Sequence, residues 1–342
     1  MRFGLFGGAS RGAAQDGDSQ SYRKFIDYVA EAEQLGFESV FLVEHHFTGT
    51  GQVSASLSLL AYLAGVTSTM RLGTGVTVMP WHNPVLLAEQ AATVDLVSNG
   101  RLDFGVGRGY RPNEFHGFCV DPAQAQARFD EALELLLKSW TTRERFSFEG
   151  QWWKFRDVVV EPYPAQTPHP PIWVAGGSEG SVRQAAKRGQ RMLFDQFGTA
   201  EQTAARVGWY RDEQSKHGRA PTAGEFAVTR GLLLIDDEAK REVEIDRRLA
   251  AIAHLSATSQ IPGTQNAGTV KFGSATLDTS REAVEAATII GQPEECIRRL
   301  KELEAAGVDY VLFNDPWGGI ERLRFFAREV MPTFRKLHTA AA

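Results

Sequence analysis

The chain has 342 residues, a formal net charge of −5 and 43% apolar residues. That length exceeds the roughly 250 residues typical of an eight-stranded α/β barrel but stays below the 400 that insertions allow, so one elaborated barrel accommodates it. The mild acidity, without a basic run or zinc-knuckle spacing, gives no basis for nucleic-acid binding, and no stretch approaches the ~20 apolar residues of a membrane span.

The two cysteines, Cys119 and Cys296, lie far apart, so a disulfide framework is not expected and a reducing compartment is. The opening Met1-Arg2-Phe3-Gly4-Leu5-Phe6 is too short an apolar run for a signal peptide and meets Gly7-Gly8 at once. A soluble, cytoplasmic protein is the expectation.

Strands and helices alternate along the chain. Residues 2–6 read as a first strand and 22–35 as a helix, with apolar Phe25, Tyr28, Val29 and Ala32 at helical steps and Gly36 as its C′ glycine. Residues 39–43 form a second strand, 57–66 a helix, and 71–79 a third strand. Asn83-Pro84 then opens a helix as N-cap and first helical residue, running to Val97. A fourth strand spans 102–107 and a long amphipathic helix 124–140. The register breaks at 145–155, which alternates about Glu149-Gly150 and reads as a β-hairpin. Pro162, Pro164, Pro168, Pro170 and Pro171 make an extended linker. Strands at 172–174, 191–194 and 226–235 follow, each with a helix after it: 178–188, 200–217 and 237–255. Residues 256–280 show no period, which in a compact domain marks a lid or disorder. A helix at 293–306, a strand at 309–313 and a helix ending near Leu337 complete the chain.

Eight βα units with one interruption predict a single domain over residues 1–342, an α/β (β/α)8 TIM barrel with a β-hairpin insertion at about 143–170 and a mobile lid loop at about 256–280. A doubly wound open sheet is the competing architecture. Against it, no Gly-x-Gly-x-x-Gly follows the first strand and opens a helix.

Four stretches carry candidate chemistry. Phe41-Leu42-Val43 runs into Glu44-His45-His46, polar groups costly to desolvate and unnecessary for packing, at the strand end where barrels place their sites. Consecutive residues of an extended chain face opposite ways, so His45 and His46 do not share one ion, and no metal site is expected. Gly105-Val106-Gly107-Arg108-Gly109 lets a ligand approach the backbone and offers a guanidinium suited to phosphate, with a solvated turn as the plain alternative. In Ala175-Gly176-Gly177-Ser178-Glu179-Gly180-Ser181 a strand meets a helix N-terminus, an anion site by its exposed N–H groups and dipole. Arg108 and that terminus together point to a phosphorylated ligand. Gly73 and Gly75 inside the third strand mark a kink or close approach of a flat ring. Phe6, Trp81, Tyr110, Phe194 and Trp317 fall at strand ends and are candidate pocket walls.

Taken with Arg2-Phe3-Gly4, Leu72-Gly73-Thr74-Gly75-Val76, Asn83-Pro84-Val85-Leu86-Leu87-Ala88-Glu89-Gln90, Ser98-Asn99-Gly100-Arg101-Leu102-Asp103-Phe104-Gly105, Gly291-Gln292-Pro293-Glu294-Glu295-Cys296-Ile297 and Val330-Met331-Pro332, these stretches resemble the bacterial luciferase-like flavin monooxygenases, in their flavin mononucleotide (FMN) branch, nearly end to end. The resemblance implies an oxidoreductase that takes reduced FMN from an NAD(P)H-dependent flavin reductase, adds O2 at flavin carbon 4a, and uses the peroxyflavin to oxygenate a small organic substrate. By position, Arg108, Ser178 and Ser181 would hold the phosphate with Gly177 and Gly180 of the same loop. Gly75 and Val76 would lie beside the ring through a non-proline cis peptide, His45 would be the catalytic histidine, and residues 256–280 the lid. Glu89 and its helix would lie in a homodimer interface.

Three departures stand out. Gly107 replaces a reactive cysteine of luciferase, Gly177 replaces a carboxylate, and the lid is shorter, with Lys271 its one lysine. Light emission from a long-chain aldehyde is therefore not implied. Other readings are a deazaflavin-dependent hydride-transfer oxidoreductase on the same barrel, a non-catalytic flavin-binding protein, and a metal-dependent hydrolase.

Overall fold

The computed structural model describes residues 1–10, 17–261, 271–272, 275–276, 278–314 and 319–334. In chain order the first half contains β1 (Arg2–Gly7), α1 (Asp18–Leu35), β2 (Ser39–Leu42), α2 (Ser56–Val66), β3 (Arg71–Thr74), β4 (Thr77–Val78), α3 (Pro84–Val97), β5 (Leu102–Gly107), α4 (Pro112–Gly117) and α5 (Ala125–Thr141). The hairpin β6 (Phe146–Glu149) and β7 (Lys154–Val158) interrupts the alternation. The second half contains β8 (Ile172–Ala175), α6 (Glu179–Arg188), β9 (Arg191–Phe194), α7 (Ala200–Lys216), β10 (Phe226–Leu234), α8 (Arg241–Ala257), β11 (Lys271–Phe272), β12 (Ala275–Thr276), α9 (Arg281–Ala286), β13 (Ile289–Gly291), α10 (Pro293–Ala305), β14 (Tyr310–Asn314) and α11 (Gly319–Glu329).

Parallel pairing runs from β1 through β2, β3, β5, β8, β9, β10 and β14 back to β1, closing the ring. With β4 continuing β3 against β5, this is the eight-stranded (β/α)8 barrel that the sequence predicts. Strands enclosed on both faces carry nearly continuous apolar side chains, and β2 and β10 are buried along their whole lengths. Inside the ring Phe41, Trp173 and Tyr310 meet edge to face, with centroids 5.7, 6.2 and 6.5 Å apart. Between sheet and helices, Trp140 of α5 donates Nε1–H to the Ala88 carbonyl of α3 at 2.9 Å.

Local signals act as expected at several ends. Asn83 Oδ1 accepts from the N–H groups of Val85 and Leu86 at 3.0 and 3.2 Å, and Gly36 closes α1 with φ 93°. The Gly-Arg-Leu stretch proves to be a staple at the N-terminal end of the barrel. Arg101 donates to the carbonyls of Ala64, Thr67, Met70 and Ser98 and to Thr67 Oγ1, at 2.7–3.1 Å. Beside it Arg71 holds Asp103 bidentately at 2.6 and 2.9 Å. That end of a barrel serves stability.

Several expectations need correction. The third strand is broken, not continuous to Met79: the Gly75–Val76 peptide is cis and separates β3 from β4. The hairpin turns through a four-residue loop, Gly150–Trp153, closed by the Glu149–Lys154 pair and centred two positions later than Glu149-Gly150; the Glu131 carboxylate accepts from the N–H groups of Gln151, Trp152 and Trp153 at 2.8–3.0 Å. The region read as a lid from residue 256 begins inside α8, which runs to Ala257, and includes the antiparallel pair β11–β12. The rest of that lid expectation, residues 262–270, 273–274 and 277, lies outside the described residues. Helices α4 and α9 and strand β13 were not anticipated. The last helix ends at Glu329, with a 3-10 turn over Met331–Thr333, and residues 335–342 lie outside the described residues. Among the described residues no helix is long and apolar enough to cross a membrane.

Candidate active site

The C-terminal ends of the strands open into a cavity of about 2090 Å³. This exceeds the roughly 300–1,000 Å³ of an ordinary small-molecule pocket, so a flavin-sized group and a second molecule fit together. The eight residues given a catalytic or cofactor-binding role from the sequence line it: His45, Gly75, Val76, Arg108, Gly177, Ser178, Gly180 and Ser181; of the candidate pocket walls Phe6, Tyr110 and Phe194 line it and Trp81 does not. Trp317 lies outside the described residues.

His45 and His46 part company, as extended backbone requires. His45 faces the cavity and donates Nδ1–H to Glu114 Oε1 at 3.1 Å, while the His46 N–H reaches the same oxygen at 3.0 Å. With Nδ1–H committed to a carboxylate, the neutral ring carries its lone pair on Nε2, which has no partner among the described residues. Burial and the Arg111 charge push the His45 imidazole below its usual 6.5, against the opposing pull of Glu114 and Glu44. His45 is therefore neutral at pH 7 and equipped to accept a proton.

His46 turns away to a structural cluster. It packs against Phe118 at 4.8 Å and donates Nε2–H to Glu44 Oε1 at 3.2 Å. The same oxygen accepts from His82 Nε2 at 2.8 Å and Trp81 Nε1 at 3.1 Å. Burial alone pushes the Glu44 carboxyl up. Hydrogen bonds from His46 and His82, the His82 charge and the Trp81 N–H outweigh that and hold it at about 2 instead of 4.5. A folded-state value below the unfolded one contributes stability that is whole above 4.5 and is lost as pH falls toward about 2. Glu44→Gln is expected to cost about 1–3 kcal/mol at pH 7 in urea unfolding, and to flatten the acid loss of stability. An unchanged urea midpoint would refute this role.

The opposite wall carries a helix N-terminus and an arginine. Ser178 caps α6 and accepts from the Ser181 N–H at 3.3 Å, and its hydroxyl donates to Ser181 Oγ at 3.0 Å. The first N–H groups of the helix are left for solvent or a ligand. Arg108 is exposed and has neither a hydrogen bond nor an ion pair among the described residues. Between the two walls the barrel floor is cut away. A Cβ on Gly75 would stand 2.7 Å from Phe6, and one on Gly107 2.6 Å from Val76 Cγ2, so neither position has room for a side chain. A Cβ on Gly177 would stand 2.9 Å from the Arg206 guanidinium, which pairs with Asp195 at 2.9 Å. The space that a side chain at position 177 would need is thus taken by the Arg206–Asp195 pair.

Sequence reasoning missed Glu114, Arg111 and Arg206. Glu114 belongs to the six-residue helix α4, started by Pro112. The Pro-Asn-Glu sequence was a usable signal for a helix start, but nothing local ties Glu114 to a histidine 69 positions away. No group of three or more His, Cys, Asp or Glu side chains placed to hold a metal occurs among the described residues.

Fold and site define a (β/α)8 barrel whose C-terminal mouth is lined by an exposed arginine, a helix N-terminus and a part-buried, carboxylate-oriented imidazole. The chain belongs to the luciferase-like monooxygenase family, whose model matches residues 1–310. The oxygenase component of the flavin-dependent trigonelline monooxygenase of Acinetobacter baylyi is 28% identical, over 98% of this chain and 96% of that protein. The monooxygenase RslO1 of Streptomyces bottropensis superposes with a TM-score of 0.84 at 26% identity, covering 98% of this chain and 100% of that one. An F420-dependent secondary alcohol dehydrogenase, solved with an F420–acetone adduct, shares the fold at 15% identity, with a TM-score of 0.79 and coverage of 98% and 99%.

Proposed function

We propose that the protein is the oxygenase of a two-component monooxygenase, using reduced FMN from a separate NAD(P)H-dependent reductase and O2 to oxygenate a small organic substrate. The observation that carries this is the shared cavity: Arg108 and the N-terminus of α6 on one wall, His45 on another, and side-chain-free Gly75 and Gly107 between them. A relative named as an oxygenase component, similar over nearly the whole chain, supports the reductase partner.

Arg108, Ser178, Ser181 and the N–H groups around Gly177 and Gly180 hold the phosphate. Gly75, Val76 and Gly107 leave a face for the flat ring. When bound, reduced FMN supplies the electrons for oxygen activation. His45 Nε2 holds or moves a proton at the reacting centre, and Glu114 fixes its tautomer. Helix α8 walls the mouth with Ile252, His254 and Leu255 and limits water. Tyr62 of α2 and Leu86, Leu96 and Val97 of α3 are exposed. Exposed apolar side chains on these two helices support a homodimer through the helix that carries Glu89.

Arg108→Ala is expected to weaken FMN binding roughly 10- to 150-fold, the equivalent of the ~1.5–3 kcal/mol of a charged hydrogen bond. Riboflavin, lacking the phosphate, should bind the variant and the wild type alike. Equal loss for both would remove Arg108 from the phosphate site. The deazaflavin reading, favoured by the F420-dependent structural neighbour, predicts preferential binding of the reduced deazaflavin under anaerobic titration. A flavin carrier without turnover predicts that no organic compound changes the rate of reduced-FMN oxidation.

A further inference from the structure

We propose that Arg111 is the recognition site for a carboxylate on the organic substrate, which would make this an oxygenase of small organic acids. The proposal deepens the function given above and rests on it, because it places the second molecule of that cavity.

Arg111 follows the Gly109 turn, where φ is 80°, and N-caps α4. It lies on the cavity wall with His45, Tyr110 and Glu114, and it is 0% exposed. Among the described residues only Nε makes a hydrogen bond, donating to the Tyr110 hydroxyl at 3.3 Å, and the guanidinium lies 5.8 Å from the Tyr110 ring centroid. Nη1 and Nη2 are buried without a hydrogen-bond partner among the described residues. No carboxylate there pairs with it, and Glu114, three positions on, is committed to His45 and the His46 N–H.

A buried cation with its fork empty is a costly arrangement unless a counterion completes it. Other arginines in this protein show what a structural role looks like. Arg230, equally deep, gives its nitrogens to the carbonyls of Asp195 and Thr229 and to Thr203 Oγ1 at 2.8–3.1 Å. Arg101 fills its fork with carbonyls. Arg111 offers two parallel N–H donors, the geometry that matches a carboxylate bidentately. It is also distinct from Arg108, the exposed arginine on the phosphate wall. Gln52 Oε1, another buried acceptor without a partner, lines the same cavity and offers the substrate a place for one donor.

The test uses flavin-free full-length protein titrated with benzoate, acetate and benzamide by calorimetry, and separately with FMN. The wild type should bind benzoate at least about tenfold more tightly than benzamide, and acetate should compete with benzoate. Arg111→Gln should reduce the benzoate-to-benzamide preference to about one while FMN affinity stays within about twofold of wild type. Arg111→Lys should keep part of the preference. Arg108→Ala should lower FMN affinity and leave the benzoate preference intact. The proposal is overturned if neither carboxylate binds the wild type, if benzamide binds equally well, or if Arg111→Gln keeps the preference. It is also overturned if Arg111→Gln loses FMN, which would assign the residue to the flavin, or if Arg108→Ala abolishes benzoate binding. Should Arg111→Gln fail to fold, the wild-type comparison and the Arg108→Ala and Arg111→Lys arms still decide. Failure of FMN binding in the wild type would sink the oxygenase reading without touching the anion measurements.

Discussion

His45→Ala is expected to lower kcat for substrate oxygenation by roughly 10²–10⁴-fold, the range for loss of a positioned proton-transfer group, with FMN affinity near the wild-type value. The geometry separates the two effects. Among the described residues the one side-chain hydrogen bond of His45 goes to Glu114 at 3.1 Å, and none goes to Arg108, Ser178 or Ser181. Glu114→Gln provides the complementary reading. Burial and the Arg111 charge already push His45 below 6.5, and Glu114 is the first of the groups that raise it. Removing that carboxylate disfavours the imidazolium, so the acid limb of the kcat/KM profile, which reports the enzyme before substrate binds and is set by neutral His45, should move to lower pH. The wild-type limb itself should lie below 6.5. Turnover unaffected by His45→Ala, or a limb above that value, would take the histidine out of the proton path.

The barrel was legible because its strands are short apolar runs bounded by helix signals, and burial on both faces demands such runs. Ile172-Trp173-Val174 and Phe226 to Leu234 are examples, each a strand where expected. The strand–helix junction from Ala175 to Ser181 was legible for a similar reason: glycines and a serine mark a helix start, and Ser178 does cap α6. What stayed hidden depended on partners distant in sequence. Gly75 within an apolar run signals a kink or a close approach, and only the coordinates show β3 and β4 parting there. The hairpin turn widened to the loop Gly150–Trp153, where Glu131, 20 to 22 positions earlier, captures three of its N–H groups. Nothing in the local sequence sets Arg111 and Glu114 apart from their neighbours. Their meaning comes from burial, and burial next to His45 is a product of barrel closure that no local pattern encodes. Conversely, Ser98 to Asp103, one of the most recognisable stretches, turned out to hold the stable end of the barrel together.

The second large effect is expected at Gly105. Thr74 Oγ1 donates to the Gly105 carbonyl at 2.7 Å and accepts from the Gly105 N–H at 2.8 Å, locking β3 against β5 just where the sheet approaches the cavity. A methyl group on Gly105 would overlap the Thr74 carbonyl oxygen, a backbone atom fixed in the ring. No rotamer change relieves that contact, so the strands themselves must separate. Gly105→Ala is expected to cost about 3 kcal/mol or more, the upper part of the range for overpacking a core, and to weaken FMN binding because the floor beneath Gly75 and Gly107 shifts with the strand. Gly107→Ala sets the scale. There the new methyl meets Val76 Cγ2 at 2.6 Å, a side-chain atom on the cavity wall that gives way more readily than a carbonyl within the sheet. Its cost should be about 1–2 kcal/mol. Urea unfolding of the two variants, followed by FMN titration of whatever remains folded, gives the comparison. The order Gly105→Ala worse than Gly107→Ala follows from backbone being stiffer than a valine methyl, and the reverse order would mean that strand β5 does not sit against Thr74 in solution.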